Sequence, residues 1–351
     1  MFNFIEKIGK IKLPFFSGAE LYFDLGTSTT RIAVKDKGIA YKEPTYLGYN
    51  SKIKEFIFFG KEAKTILGKT PDFIRIVRPV VNGVISDFDA EVSLIQKAME
   101  KAVQPYFSNL LLKPPFQAFG IVPSVATEIE QKAAEEALLK AGCSGVSLIE
   151  KPIATAAGCN FNIFSHQPNL IVDLGGGLIE MAIVSGGGIV NQKTLKNAGD
   201  HMDKLIYNYV YLKYGVILGE STCESLKTNL LHFQKEEKTA TVRGKSLESG
   251  LPKSIRIKTS EIREALLTHL NQILDGIKEL IEGSPPETID EIFKRGIMLT
   301  GGLANIKGID GFFANEIKID VICAENPDDV TIHGLMKIAK NKEHLSKLVI
   351  R

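Results

Sequence analysis

Long apolar runs, clustered cysteines and an excess of either charge are all missing from this chain. No stretch reaches the ~18 apolar residues that a bilayer-crossing helix requires, so no membrane span is predicted. Cys143, Cys159, Cys223 and Cys323 lie far apart without CxxC pairing. That argues against a disulfide framework or a zinc site and points to a reducing cytoplasm. The histidines (His166, His201, His232, His269, His333, His344) are equally scattered and suggest no metal. A formal net charge of +2 leaves no global attraction to nucleic acid. The first residues carry no small-residue cleavage site and do not read as a secretory signal. No low-complexity linker divides the chain, so its halves are expected to pack closely. The remainder is ordinary: 351 residues, 44% apolar and 24% charged, fit for a two-domain globular protein.

The most informative positive feature is a repeat. DLGTSTTRIAV, Asp24 to Val34, returns as DLGGGLIEMAI, Asp173 to Ile183. Such self-similarity predicts two domains built on one plan. Each copy begins with an apolar run, Leu21-Tyr22-Phe23 or Leu170-Ile171-Val172, and reads as strand, tight turn, strand. The turns hold glycines or small hydroxyls, which let backbone N–H groups approach an anion without Cβ interference. Two such hairpins facing each other would grip a polyphosphate from both sides. Asp24 and Asp173 are the candidate carboxylates for Mg²⁺, held mostly through water.

Other elements follow from local signals. Residues 1–16, MFNFIEKIGKIKLPFF, place Met1, Phe4, Ile5, Ile8 and Ile11 on one face at about 100° per residue. Asn3, Glu6, Lys7 and Lys10 fall opposite, and Pro14 ends the segment. This predicts an amphipathic helix in a membrane interface, with Phe2, Phe4, Ile5, Ile8 and Ile11 as contacts. Docking on the protein's own surface is the alternative. Short strands and loops are expected from the first hairpin to about Asp87, then a helix over Glu91 to Val103. Pro114-Pro115 predicts an irregular loop after Leu112, in the segment Gln104 to Gln117. Its apolar Tyr106, Phe107 and Leu110 to Leu112 would meet either the core or the membrane. Thr127 and Glu130 form a capping box for a helix to Ala141, stopped at Gly142. Ser260 to Ile281 reads as a long amphipathic helix, and Gly296 to Gly302 as a strand entering a glycine turn.

The paired DLG hairpins, GESTCESLK (Gly219 to Lys227) and the LTGG turn resemble, in that order, the actin, heat-shock ATPase and sugar-kinase superfamily. Within it the chain is similar to MreB-type bacterial actins. KEPTYLG (Lys42 to Gly48), RPVVNGVISDFD (Arg78 to Asp89), AGDHMDKLI (Ala198 to Ile206) and RGKSLESGLPKSI (Arg243 to Ile255) carry the likeness. It covers about Leu21 to Ala339.

The resemblance implies an α/β, actin-like two-lobed fold around a nucleotide cleft. Domain I would take residues 20–147 and 326–345, with an insert near 40–88. Domain II would take 148–325, with an insert near 191–258. ATP or ADP with Mg²⁺ is the implied ligand. Thr27, Ser28 and Thr29 would meet the β- and γ-phosphates, with Gly175, Gly176, Gly177 and Leu178 opposite. Glu224 would hold the ribose, and Lys227 would lie near base and ribose. The alternative for that pair is a solvated i,i+3 salt bridge. Gly301 and Gly302 would pass close to the adenosine, beside Leu303 where the family usually has a third Gly.

Two departures bear on hydrolysis. ATP-hydrolysing members usually carry Glu just before the Pro of IEKPIATAAG (Ile149 to Gly158). This chain has Lys151 there, with Glu150 one place early and turned to another side. The second hairpin reads Leu178-Ile179 where the family commonly has Thr. Losing both removes the apparatus that positions the attacking water. Lys151 would either contact the γ-phosphate or pair with Glu150 or another surface acid. The implied function is a cytoskeletal filament protein that self-assembles at the inner face of the cell membrane, in cell shape or motility. It would work with other bacterial actin paralogues and membrane morphogenesis proteins, and without nucleic acid. An active ATPase with filament turnover and a non-polymerising membrane adaptor are the rivals. A sugar kinase is disfavoured, because no sugar-binding carboxylate stands out.

Overall fold

A computed structural model describes residues 19–107 and 114–350. The expected membrane residues Phe2, Phe4, Ile5, Ile8 and Ile11, and all of residues 1–16, lie outside the described residues.

Two five-stranded sheets repeat one topology. The first contains β1 (Ala19–Leu25), β2 (Thr29–Val34), β3 (Gly38–Pro44), β4 (Phe116–Val122) and β5 (Gly145–Glu150) in the order β5-β4-β1-β2-β3. The second contains β6 (Asn169–Leu174), β7 (Ile179–Ser185), β8 (Gly188–Leu195), β9 (Ile297–Thr300) and β10 (Val321–Cys323) in the matching order β10-β9-β6-β7-β8. In each, the first three strands run antiparallel and the last two lie parallel to the first. The duplication of the DLG segment is thus a duplication of whole sheets. β5 crosses residue 147, so the expected domain boundary would cut a strand.

Strand alternation distributes the apolar residues between three cores. Leu21, Phe23, Ile32 and Val34 face an outer core under the helices α1 (Phe88–Phe107) and α2 (Glu128–Lys140). Leu170, Val172, Ile179, Met181 and Ile183 face the equivalent core of the second sheet. Tyr22, Ala33, Ile171 and Ala182 turn the other way, into a shared layer between the sheets. That layer holds α3 (Lys151–Gly158), which follows β5 directly, and α4 (Val330–Lys340). Burial on both faces explains why these strands read as near-continuous apolar runs.

Small residues set the spacing of α3 and α4. A Cβ on Gly158 would lie 2.7 Å from Val330 Cγ1, and one on Gly334 would meet the Ala154 carbonyl. The Thr155 and Thr331 hydroxyls bond at 3.0 Å across the crossing.

Local signals fared well for the helices. The Thr127 capping box is present: the Thr127 N–H donates to Glu130 Oε2 at 2.7 Å, and the Glu130 N–H donates to Thr127 Oγ1 at 3.3 Å. The long helix expected from Ser260 is Thr259–Glu282. The helix expected over Glu91 to Val103 is longer than expected. α1 continues through Pro105 to Phe107, and the next strand begins at Phe116. Phe107 and Phe116 pack edge to face at 5.7 Å, so Phe107 faces the core while Tyr106 stays 40% exposed. Proline in a last helical turn is tolerated when packing of the flanking apolar side chains holds the turn. Leu110 to Leu112 lie outside the described residues.

One buried acid has no role in this packing. Glu91 in α1 is fully buried, with no hydrogen-bond partner at either carboxylate oxygen among the described residues. Burial pushes its carboxyl up to about 8. In the unfolded chain it returns to about 4.3. Its favourable contribution is therefore complete below that value and is lost as pH rises through about 8. Glu91→Gln should flatten the fall in melting temperature between about pH 5 and pH 8. Parallel melting curves for the two proteins over that range would show that Glu91 is not the group responsible.

Candidate functional site

The two DLG turns meet between the sheets. β1 and β2 hold Gly26, Thr27 and Ser28 in one turn, and β6 and β7 hold Gly175, Gly176 and Gly177 in the other. One cleft is lined by Asp24, Thr27, Ser28, Thr29, Lys151, Asp173, Gly175, Gly176, Gly177, Leu178, Gly301 and Gly302. The turns touch directly. A Cβ on Gly177 would lie 2.7 Å from Thr27 Cβ, and one on Gly176 would meet Ser28 Oγ. Glycine is required there by contact across the cleft, with no positive φ involved. Gly301 has φ +83°, and a Cβ on it would lie 2.8 Å from Asp173 Oδ1.

The expected site residues do not all share that cleft. Lys227 and Leu303 line an adjoining cavity that meets the first at Gly302. Glu224 faces elsewhere, its carboxylate 2.7 Å from Lys64 Nζ. Lys227 is buried, donating to Asp203 Oδ2 at 2.9 Å and to the Gly199 carbonyl at 2.7 Å. Each residue of the pair thus has its own partner, which sets aside the i,i+3 salt bridge. Glu150 is the residue before α3 and is not part of the cleft lining. Burial, with Glu180 nearby, raises its pKa.

Lys151 follows neither path foreseen for it. Its Nζ lies 2.5 Å from Asp173 Oδ2 and 3.2 Å from Glu180 Oε2. Both acids are buried, so this is an internal ion-paired cluster rather than a surface pair. Burial works against the ammonium, but the Asp173, Glu180 and Asp24 carboxylates outweigh it and hold its pKa above the ordinary lysine value. Glu180 is pushed upward by burial and pulled back by Lys151. Its Oε1 also accepts the Ser124 N–H at 3.1 Å.

Sequence reasoning missed Arg31, Glu180 and the cover over the cleft. Arg31 stands opposite Asp24 across the first hairpin, as Glu180 stands opposite Asp173 across the second. The signal was the repeat itself: the residue closing DLGTSTTR and DLGGGLIE falls across the hairpin from each Asp. The cover is a tight hairpin of Val80–Val81 and Val84–Ile85 around Asn82-Gly83, both at positive φ. Asn-Gly between apolar residues is a strong sign of such a turn. Gly83 N–H donates to Thr27 Oγ1 at 2.8 Å, and a Cβ on Gly83 would lie 2.7 Å from Leu178 Cδ1. Further ion pairs cross the mouth. Arg78 reaches Asp200 at 3.5 Å and also Glu220.

The contact between the turns makes a specific prediction. Gly177→Ala should force Thr27 aside and cost about 1–3 kcal/mol in chemical denaturation. Adding Thr27→Gly should recover part of that loss, since Gly83 N–H would still lack its acceptor. An additive double variant would mean that the turns do not meet.

Comparison with known proteins places this geometry in a lineage. The protein is 34% identical over 330 residues to the cell shape-determining protein Mbl of Bacillus subtilis (strain 168), covering 93% of this chain and 98% of that one. MreB5 of Spiroplasma citri, solved bound to ADP and bound to AMPPNP, superposes with TM-scores of 0.87 and 0.86. The ADP-bound structure is 32% identical and covers 92% of this chain and 97% of its own. A MamK double helical filament, 18% identical over 92% of this chain and 99% of its own, shares the fold with a TM-score of 0.75. The family model described as MreB/Mbl protein matches residues 18–347, and the chain belongs to that family of actin-like proteins.

Proposed function

We propose that this protein binds ATP or ADP in the cleft between its sheets and polymerises into membrane-associated filaments that serve cell shape or motility. Membership of a family with cell shape-determining relatives supports the cytoskeletal role. The nucleotides bound by its structural neighbour support the ligand. In this reading Thr27, Ser28 and Thr29 donate to the phosphates, and the N–H groups of Gly175 to Gly177 approach from the other side. Gly301 and Gly302 bring backbone close to the nucleoside, with Leu303 and Lys227 lining the cavity beyond. Because the turns touch, the domains separate to admit phosphate. Glu224 leaves Lys64 to reach a ribose. The sheet memberships are consistent with domain I ending after β5 and domain II beginning with α3.

We further propose that hydrolysis is slow or absent. The carrying observation is Lys151, an ammonium bound to Asp173 and Glu180 where the family's water-positioning Glu is expected. A protonated amine cannot act as a general base, and that assistance is typically worth ~10²–10⁴-fold. Leu178 is buried against Gly83 and has no hydroxyl to place a water.

The test is phosphate release over hours from purified protein with ATP, at a concentration where it pellets. The expected result is sedimenting polymer with release near zero. Steady release would mean that another residue positions the water. Absence of pelleting would favour the adaptor over the filament former.

A further inference from the structure

The resemblance implies Mg²⁺ beside Asp24 and Asp173, and the residues present do not fit it. Each carboxylate already faces a basic side chain of this chain. Lys151 Nζ lies 2.5 Å from Asp173 Oδ2, while Thr300 Oγ1 donates to Asp173 Oδ1 at 3.1 Å. Arg31 Nη1 lies 3.3 Å from Asp24 Oδ2. Neither cation is free to leave. Arg31 is 9% exposed and anchored by Nε on Asp329 at 2.8 Å, with Asp328 at 3.7 Å. Lys151 also holds Glu180, and its departure would strand two buried carboxylates.

A hydrated dication lodged between the hairpins would sit against an ammonium and a guanidinium in a shielded cleft, where like charges repel strongly. Part of the metal's electrostatic task is also already performed. Asp24, Asp173 and Glu180 would repel a polyphosphate, and Lys151 with Arg31, which is shared with Asp328 and Asp329, offsets part of that charge from within. The fourth acid of the lining, Asp328, lies 2.6 Å from Lys42, which it shares with Asp329 at 2.7 Å. The two copies of the hairpin reach this state differently. The first supplies its own cation across from Asp24, while the second carries Glu180 there and borrows Lys151 from α3.

We infer that Lys151 and Arg31 replace the divalent cation as counter-charges of this cleft, so that a nucleoside polyphosphate binds with an affinity nearly independent of Mg²⁺. This rests on the nucleotide-binding reading above.

The experiment titrates the full chain with a fluorescent ATP analogue, once with excess Mg²⁺ and once with EDTA. The expected dissociation constants differ by less than about threefold. A loss of about tenfold or more in EDTA overturns the inference and leaves nucleotide binding intact. Absence of binding in both buffers overturns the nucleotide reading itself. Lys151→Glu, checked for folding by circular dichroism, should acquire a Mg²⁺ dependence of about tenfold or more. A folded Lys151→Glu that still ignores Mg²⁺ removes Lys151 from the explanation. If it does not fold, the wild-type comparison decides alone.

Discussion

The close crossing of α3 and α4 is the constraint from which the rest of the molecule follows. These helices lie between the two sheets, and a Cβ at Gly158 or Gly334 would collide with the partner backbone. Their separation therefore sets how near the sheets come and whether the two DLG turns meet. The Thr155–Thr331 hydroxyl bond ties the same crossing, and Thr155 Oγ1 also donates to the Lys151 carbonyl at 2.8 Å. Lys151, the first residue of α3, is thereby held against the second hairpin.

From that position Lys151 decides the chemistry of the cleft. A carboxylate there would join Asp173 and Glu180 in a buried cluster of like charge, a situation relieved by protonation or by a cation. An ammonium relieves it directly. The same substitution removes a base and supplies a counter-charge, so the proposed slow hydrolysis and the inferred metal independence share one physical origin. Arg31 completes the arrangement at Asp24. Contacts across the mouth, Lys64 with Glu224 and Arg78 with Asp200 and Glu220, then favour the closed form. They are partly exposed pairs, individually weak, so they would resist the proposed opening of the cleft only slightly.

Much of this was legible in the chain. The DLG repeat announced the duplicated sheets because a strand-turn-strand motif with an obligatory small turn survives in the residues themselves. Thr127 and Glu130 declared a helix start because capping is local. The cleft lining was readable wherever it consists of turn residues. The helix extension through Pro105 was not, because the edge-on packing of Phe107 on Phe116 overrides the local signal and joins segments on either side of the prolines. Glu224 and Lys227 were placed correctly on one helix, but their partners come from distant segments.

The sequence by itself determined the fold class, the two hairpins, the lineage and the presence of a lysine where an acid is expected. Those are properties of local backbone chemistry and of residue order. Only the tertiary structure decided what that lysine does. Its partners Asp173 and Glu180 belong to strands that α3 reaches through packing, and Arg31 faces Asp24 only because β1 and β2 pair in one register. Charge compensation in a buried cleft depends on distances of a few ångströms, and those are set by how the two sheets close on the helices between them.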